Sequence, residues 1–160
     1  MSEEHSSTGP SPGRSRADSV QLAWGLWEHL GADRLDEGLA LLDDGGTWWE
    51  MSTRSRHPMA QMKLVLRETF QIVPMSFEHV DAIVEGDRVA LMVESHADLP
   101  DGGRYNNVYT FITTLDPDRD VIVGIREYVD TLHASTTLIP AVLAVMRERG
   151  GDSVLSGLLR

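Results

Sequence analysis

From Met75 onward the apolar residues change from helical spacing to the alternating spacing of β-strands. Four extended runs follow one another, and turn-forming segments rich in Gly, Asp and Pro separate them. The runs are SFEHVDAIVEG, DRVALMVESHADL, GRYNNVYTFITTL and DVIVGIREYVDTL, and the turns are EGDR, LPDGG and DPDRD. Because loops this short join strands that run in opposite directions, the pattern predicts an antiparallel meander.

Helical patterns come before the meander. Val20, Ala23 and Trp27 recur at helical spacing in the first helix, and a shorter helix ends at a Gly-Gly pair. TWWEM is then typical of a short strand, and a third helix begins after Pro58 and ends before Pro74. This order predicts an α+β domain, with helices covering one concave face of a curved, mostly antiparallel sheet.

The 160 residues divide into three segments. Residues 1–17 are rich in Ser, Gly and Pro and are predicted to be a disordered tail, residues 18–135 form the α+β domain, and residues 136–160 form a C-terminal helix and tail. Both alternating phases of the strand VALMVESH are largely apolar. Since the helices cover only one face, we expect a homodimer through the sheet to cover the other.

Charge and cysteine content narrow the class of protein. The net charge of −11 disfavours nucleic-acid and membrane-surface partners, because both are anionic. The chain has no cysteine, which excludes thiol catalysis, disulfides and Cys-based zinc sites. No apolar run reaches the roughly 20 residues of a membrane span, and the N-terminus lacks the apolar core of a secretory signal. We therefore expect a soluble protein of the cytoplasm.

Polar side chains interrupt the apolar pattern of three neighbouring strands. If the LPDGG and DPDRD turns close two hairpins, these side chains fall on one face of the sheet, provided that no strand slips by one residue. The predicted cluster consists of Glu94, His96, Tyr105, Asn107, Tyr109 and Glu127.

This cluster has two interpretations. It is either the solvent-facing side of an antiparallel sheet or one wall of a helix-covered pocket whose few polar groups orient a mostly apolar ligand. The same phase continues through Met92, Phe111 and Ile125, which favours the pocket. A carboxylate beside an apolar wall has a raised pKa, and a nearby histidine can share its proton. Such a pair can perform general acid–base chemistry while a tyrosine hydroxyl donates to a developing oxyanion.

Three further residues are candidates for the wall of the pocket. Trp48 and Trp49 are adjacent on a strand and so face opposite ways, and we expect Trp49 to face inward. We expect Phe70 to cap the pocket, and His79 is a further candidate because it shares a phase with Phe77. The chain has no compact metal-ligand motif, so we expect no metal site.

Residues 18–135 resemble the SnoaL-like branch of the nuclear transport factor two-like (ketosteroid-isomerase-like) superfamily. The resemblance rests on EGDRVA, the acid-then-histidine pair Glu94 and His96, the Tyr-X-Asn-X-Tyr row and EYVDT. It implies a cone-shaped α+β barrel whose helices close a hydrophobic pocket, usually dimeric through the sheet. Members include polyketide cyclases, steroid isomerases, epoxide hydrolases and dehydratases, together with non-catalytic proteins.

The chain departs from the catalytic patterns of these members. In limonene epoxide hydrolases an aspartate matches Glu127, but their Arg-X-Asp falls near Glu94 and His96, where this chain has no arginine. Steroid isomerases use a first-helix tyrosine and an early aspartate base, whereas the first helix here offers Trp24 and Trp27. Polyketide cyclases of this branch use a histidine and a carboxylate, roles that the resemblance would give to His96 with Glu94 or Glu127.

The leading hypothesis is a cofactor-free enzyme, of the isomerase or polyketide cyclase type, that acts on a hydrophobic polycyclic or carbonyl-bearing small molecule. Glu94, His96 and Glu127 would move protons, and Tyr109 and Asn107 would hold the substrate oxygen. A non-catalytic ligand-binding module, a dimerisation module, and an epoxide hydrolase or dehydratase are the alternatives.

Overall fold

The computed structural model describes residues 13–150 and residue 157. The helices are α1 (Arg16–Gly31), α2 (Leu35–Ala40), α3 (Met59–Ile72), α4 (Thr131–His133) and α5 (Ile139–Arg149), with a π-helical turn at Ala134–Leu138. The strands are β1 (Leu42–Glu50), β2 (Ser55–Pro58), β3 (Ser76–Glu85), β4 (Arg88–Asp98), β5 (Arg104–Leu115) and β6 (Ile122–Val129). Most of the predicted tail at residues 1–17, and most of the apolar C-terminal tail, lie outside the described residues.

The first helix begins two residues before the predicted boundary at residue 18. Its N-cap is Ser15, whose hydroxyl accepts a hydrogen bond from the backbone N–H of Asp18. The Asp18 carboxylate in turn accepts from the backbone N–H of Ser15. This reciprocal capping box satisfies two backbone donors that a helix start otherwise leaves unpaired.

Six strands form one open sheet in the order β2-β1-β6-β5-β4-β3. The pair β1–β6 is parallel, and every other pair is antiparallel. The meander of β3 to β6 is as predicted, and the α+β class with a mostly antiparallel sheet is confirmed. The second predicted helix is shorter than expected, because the chain enters β1 at Leu42.

The two faces of the sheet differ in what covers them. Helices α1 and α3 pack on one face, which we call the helix-covered face, and we call the opposite face the outer face. In β4 the buried phase runs through Val89, Leu91 and Val93, whereas Glu94 and His96, in the other phase, are only half-buried. Burial therefore follows the period of two that a strand imposes.

The register of the β4–β5 hairpin corrects one prediction. Its loop is held by hydrogen bonds from Leu99 N–H to the Gly103 carbonyl (2.8 Å) and from Gly102 N–H to the Leu99 carbonyl (2.9 Å). This loop pairs Ala97 with Tyr105, so His96 lies opposite Asn106. The register differs by one residue from the expected one, and a slip of one residue moves a side chain to the other face. The predicted grouping of His96, and likewise of Glu94, with the tyrosine row is therefore wrong.

A close backbone contact at Gly46 fixes the irregular start of the β1–β6 pair. The register shifts between Leu42 and Thr47, and a Cβ at Gly46 would lie 2.5 Å from the carbonyl oxygen of Val123. Backbone cannot move aside as a flexible side chain can, so the bulge requires glycine at this position.

We expect Gly46→Ala to lower the free energy of unfolding by roughly 1–3 kcal/mol, because the added methyl group overpacks the bulge. Gly45→Ala is the matched control, since a Cβ there meets only the Asp43 carboxylate at 3.6 Å. Urea unfolding of both variants checks this. Equal stability of the two variants would contradict a specific contact at Gly46.

Candidate active site

A cavity of about 540 Å³ lies between the helix-covered face, α3 and the segment that follows β6. Most of its wall is apolar or aromatic. The aromatic residues that line it are Trp27, Trp48, Phe70, Phe77, Tyr105, Tyr109 and Phe111. Trp27 stacks on Phe111, with ring centroids 4.0 Å apart, so the middle of the wall is a packed aromatic surface.

Glu127 is an acidic group in the wall of this cavity. It lies on β6 opposite Phe111 of β5, and its Oε2 accepts a hydrogen bond of 2.9 Å from Trp48 Nε1. Burial, with a smaller contribution from the charge of Glu50, raises the pKa of Glu127 from 4.5 to about 7, although the Trp48 donor opposes the shift. A carboxyl with this pKa can both accept and donate a proton near neutral pH.

A second carboxylate, Glu50, lies beside Glu127. The parallel register pairs the two residues on β1 and β6, and both side chains line the cavity. The Glu50 Oε1 accepts hydrogen bonds from the hydroxyls of Ser52 (3.1 Å) and Thr53 (2.9 Å), and His57 Nε2 lies 3.8 Å from the same oxygen. Two acids therefore share one apolar cavity.

Two phenols and an amide form a hydrogen-bonded chain on β5. Asn107 Nδ2 donates to the Tyr105 hydroxyl (2.8 Å) and to the Asp130 carbonyl (3.1 Å), and the hydroxyls of Tyr105 and Tyr109 are 2.8 Å apart. The two phenols share one hydrogen bond, which uses one of their two protons, and the Ser95 hydroxyl is a further neighbour of Tyr109. Burial raises the pKa of both tyrosines, which keeps them protonated as donors.

The structure brings together four of the predicted site residues in this cavity: Glu127, Tyr105, Tyr109 and Phe70. Asn107 shares their face of the sheet but does not line the cavity. Its amide nitrogen is used by Tyr105 and by backbone, and its Oδ1 accepts from the N–H of Val108. Asn107 therefore positions Tyr105 and does not reach a ligand.

Four other predicted residues lie elsewhere. Glu94 and His96 are on the outer face, as the β4–β5 register requires. His79 stacks on Trp24 of α1, with ring centroids 5.4 Å apart, and does not line the cavity. The expectation that Trp49 faces inward is wrong, because Trp49 lies one residue out of phase with the inward Trp48.

Trp49 belongs to an aromatic and cationic group on the outer face. Its ring packs on Tyr128, with centroids 5.4 Å apart, and the Arg126 guanidinium lies 4.3 Å from its centroid. Trp48, in contrast, is buried and donates to Glu127. The two tryptophans face opposite ways as predicted, but the inward one is Trp48.

Glu50 and the inward Trp48 are the site residues that the sequence analysis missed. In TWWEM the positions of Trp48 and Glu50 are two apart, so they share a face of the strand. Placing Trp48 inward would therefore have identified Glu50 as a cavity residue. The missing information was the long-range pairing of β1 with β6.

On the outer face Glu78, Glu94 and His96 approach one another. One ligand atom of each lies within 4.8 Å of those of the other two, and Glu78 faces Glu94 in the β3–β4 register. Glu78 is exposed, and exposed acidic groups are common without a metal ion. This cluster is separate from the cavity, and we assign it no function.

Comparison with known proteins identifies the family. Residues 25–135, most of the folded domain, match the sequence profile of the SnoaL-like domain. The chain belongs to the SnoaL-like domain family. No curated protein matches the chain in sequence.

Solved structures share the fold of this SnoaL-like protein at low sequence identity. PrhC from Penicillium brasilianum NBRC 6234 is 18% identical, with a TM-score of 0.70 over 81% of this chain and 90% of PrhC. An NTF2-like protein from Burkholderia xenovorans LB400 is 20% identical, with a TM-score of 0.63 over 79% of this chain and 99% of that one. A protein from Jannaschia sp. CCS1, proposed to be a SnoaL-like polyketide cyclase, is 18% identical, with a TM-score of 0.65 over 78% and 95% of the two chains. These likenesses show the fold alone.

Among the described residues, no helix combines the length and the apolar character needed to cross a membrane.

The raised pKa of Glu127 makes stability depend on pH. The folded protein holds the Glu127 proton more tightly than the unfolded chain does, so this proton stabilises the folded state. The stabilisation is complete below pH 4.5 and is lost as the pH rises through about 7. Glu127→Gln removes this loss. We compare the free energy of unfolding of Glu127→Gln minus that of the wild type at two pH values. We expect this difference to be about 3 kcal/mol more favourable to the variant at about pH 8.5 than at about pH 4.

Urea unfolding at the two pH values measures this difference. Glu94→Gln, which removes a carboxyl from the outer face, is the control and should not follow the same course. A constant difference between Glu127→Gln and the wild type across this range would show that Glu127 is not a desolvated acid.

Proposed function

We propose that this protein is an enzyme that moves a proton next to a carbonyl group of a hydrophobic, polycyclic or carbonyl-bearing small molecule. The observation that carries the proposal is Glu127, a carboxyl with a pKa of about 7 in the wall of an apolar cavity. The SnoaL-like fold, which a proposed polyketide cyclase shares, agrees with this chemistry without specifying it.

Glu127 is the base and then the acid. Its carboxylate takes a proton from the carbon next to the carbonyl, and the electron pair of the broken C–H bond moves onto the carbonyl oxygen. The proton then returns to another carbon in an isomerisation, or to an oxygen after a new C–C bond forms in an aldol-type cyclisation. Only a proton moves between protein and substrate, so this chemistry calls for no cofactor.

The Tyr105–Tyr109 pair would stabilise the enolate, with the phenolic proton that the two hydroxyls do not share donated to the substrate oxygen. An enolate concentrates negative charge on its oxygen, and a donor already oriented in an apolar cavity stabilises that charge strongly. Tyr109 lines the cavity beside Phe111, and Asn107 holds Tyr105 from behind. We therefore assign Tyr109 and Tyr105 to the substrate oxygen, with Asn107 as a positioning residue.

Exchange of the α-protons of 2-tetralone for deuterium in D₂O tests the proposal without the natural substrate. Proton NMR should show exchange above the buffer rate, with a rate that rises with pH through about 7 as Glu127 loses its proton. Glu127→Gln should slow the protein-dependent exchange at least about 100-fold, because the base is lost. Tyr109→Phe should slow it about tenfold, because one donor is lost.

Glu94→Gln and His96→Gln, on the outer face, are the controls and should exchange like the wild type. Two results would contradict the proposal: exchange at the buffer rate in the wild type, or equal exchange in the wild type and Glu127→Gln. If 2-tetralone binds in the cavity without exchange, the protein is instead a ligand-binding module.

We also propose that two copies of the chain pair through the outer face of the sheet. Val80, Ile83 and Val108 are large apolar residues more than half exposed on β3 and β5. Val80 and Val108, together with Met92, Thr110 and Tyr128, border a shallow apolar depression on this face. An exposed apolar surface of this kind is typical of an interface between subunits.

We expect Val108→Glu to convert a dimer into a monomer, because it places two charges at the interface. Leu64→Glu is the matched control, since Leu64 on α3 is 54% exposed and Val108 is 57% exposed. Light scattering coupled to size exclusion gives the mass of each variant. A monomeric wild type, or the same mass for both variants, would rule out this interface.

The partners and the location follow from charge and composition as further parts of the proposal. A net charge of −11 repels nucleic acids and anionic membranes, and the absence of cysteine suits the reducing cytoplasm. We propose a cytoplasmic protein whose ligands are small molecules.

A further inference from the structure

In each of the two carboxylates of the cavity, only one oxygen accepts hydrogen bonds from the described part of the protein. The Ser52 and Thr53 hydroxyls both donate to Oε1 of Glu50, and His57 Nε2 lies nearest the same atom. Trp48 donates to Oε2 of Glu127. Within the described residues, no hydrogen bond of the structure reaches Oε2 of Glu50 or Oε1 of Glu127. Each carboxyl therefore keeps one oxygen that can accept a hydrogen bond from a ligand in the cavity.

The charged side chains in the wall of the cavity have one sign. Of the described residues that line the cavity, the charged ones are Glu50 and Glu127. Tyr105 and Tyr109 of β5 are the titratable tyrosines of the wall, and His57 of β2 lies beside Glu50 outside it. The segment after β6 places His133 against the Tyr105 ring and the charge of Asp130 near Tyr105, but the residues that this segment, α1 and α3 contribute to the wall are neutral. Two carboxylates side by side repel each other, and only 13% of the Glu50 side chain is exposed. A cation between them would relieve this repulsion.

The aromatic wall suits a cation that carries a hydrophobic body. Trp27 and Trp48 meet edge to face, with ring centroids 6.1 Å apart, and Trp27 also covers the Phe111 ring. The faces of such rings attract positive charge, and the rest of the wall accepts an apolar skeleton. An anionic ligand would meet two carboxylates, and no described residue in the wall carries a positive charge.

We propose that this cavity binds hydrophobic molecules that carry a protonated amino group, with Oε2 of Glu50 accepting a hydrogen bond from the ammonium while Glu127 transfers the proton. The inference rests on the proposed function, because that function makes Glu127 the group that transfers the proton. It adds the charge of the substrate and assigns Glu50 as its anchor.

The proposal links binding to the state of the base. Burial is the main cause of the raised pKa of Glu127 and the charge of Glu50 adds to it, and an ammonium bound to Glu50 offsets that charge and adds a positive one beside Glu127. The pKa of Glu127 therefore falls when the amine binds, and its proton leaves to solvent. The substrate converts the acid into the base that the reaction requires. The neutral alcohol of the same shape lacks this effect.

Three ligands of one shape test the charge preference: 1-naphthylmethylamine, 1-naphthalenemethanol and 1-naphthoate. Isothermal titration calorimetry near pH 7 should show the amine binding about tenfold more tightly than the alcohol, and the acid most weakly. Repeating the titration in two buffers of different ionisation enthalpy counts protons. Amine binding should release up to about half a proton, because Glu127 with a pKa of about 7 is about half protonated there. The alcohol should release none.

Glu50→Gln locates the anchor. It should lower the affinity for the amine about tenfold and leave that for the alcohol unchanged, which also shows that the variant is folded. Glu94→Gln removes the same charge from the outer face, so it measures the general attraction of an acidic protein for cations and should change neither affinity.

Some results would overturn the inference. The first is that the amine does not bind, or binds no more tightly than the alcohol. The second is that Glu50→Gln and Glu94→Gln change the affinity for the amine equally. The wild-type comparison of the three ligands needs no variant, so it decides even if Glu50→Gln does not fold. Failure of the proposed function shows instead as 2-tetralone exchange at the buffer rate, and either failure can occur without the other.

Discussion

The parallel pairing of β1 with β6 is the constraint on which the contents of the cavity depend. It brings Trp48 and Glu50 next to Glu127, so one strand supplies both a donor that holds this carboxyl and a charge that raises its pKa. Parallel neighbours cannot be joined by a tight turn, so a long stretch of chain must lie between them. The intervening stretch includes α3, which packs on β1 and forms another wall of the cavity. The connection that pairs the strands therefore also closes the site.

Local patterns in the sequence predicted the meander, whose strands are joined by short loops. They did not predict the residues that enter the cavity through the pairing of distant strands. The meander followed from alternation and turn chemistry, because short loops leave few arrangements open. The face of each strand was harder, since a slip of one residue at the LPDGG loop inverts it. The more apolar phase of β4, through Val89 and Val93, held the information needed to set the register. Glu50 could not be found from its neighbours alone, because its importance comes from a strand more than 70 residues away in the chain.

The two acids illustrate a conflict between stability and chemistry. A cavity lined by Trp27, Phe111 and other apolar groups would be more stable with a neutral residue at Glu127, since burial of a carboxylate is costly. The apolar surface buried by the stacked rings beside it offsets part of that cost. Sites where a sequence breaks the rule for its own environment are commonly functional sites. Here Glu50 and Glu127, on adjacent strands, each place a carboxyl group in an apolar environment on the same face of the sheet.

The position of Glu127 on β6 explains why one residue can be controlled from two directions. β6 lies between β1 and β5, so its inward side chains have neighbours on both sides. From β1 come the Trp48 donor and the charge of Glu50, and from β5 come the phenols that would bind the oxygen of a substrate. A residue on an edge strand would lack one of these sets. Because outward side chains alternate with the inward ones, the outer face can change without altering this arrangement. Relatives that keep the sheet can therefore differ in their chemistry through substitutions at a few inward positions.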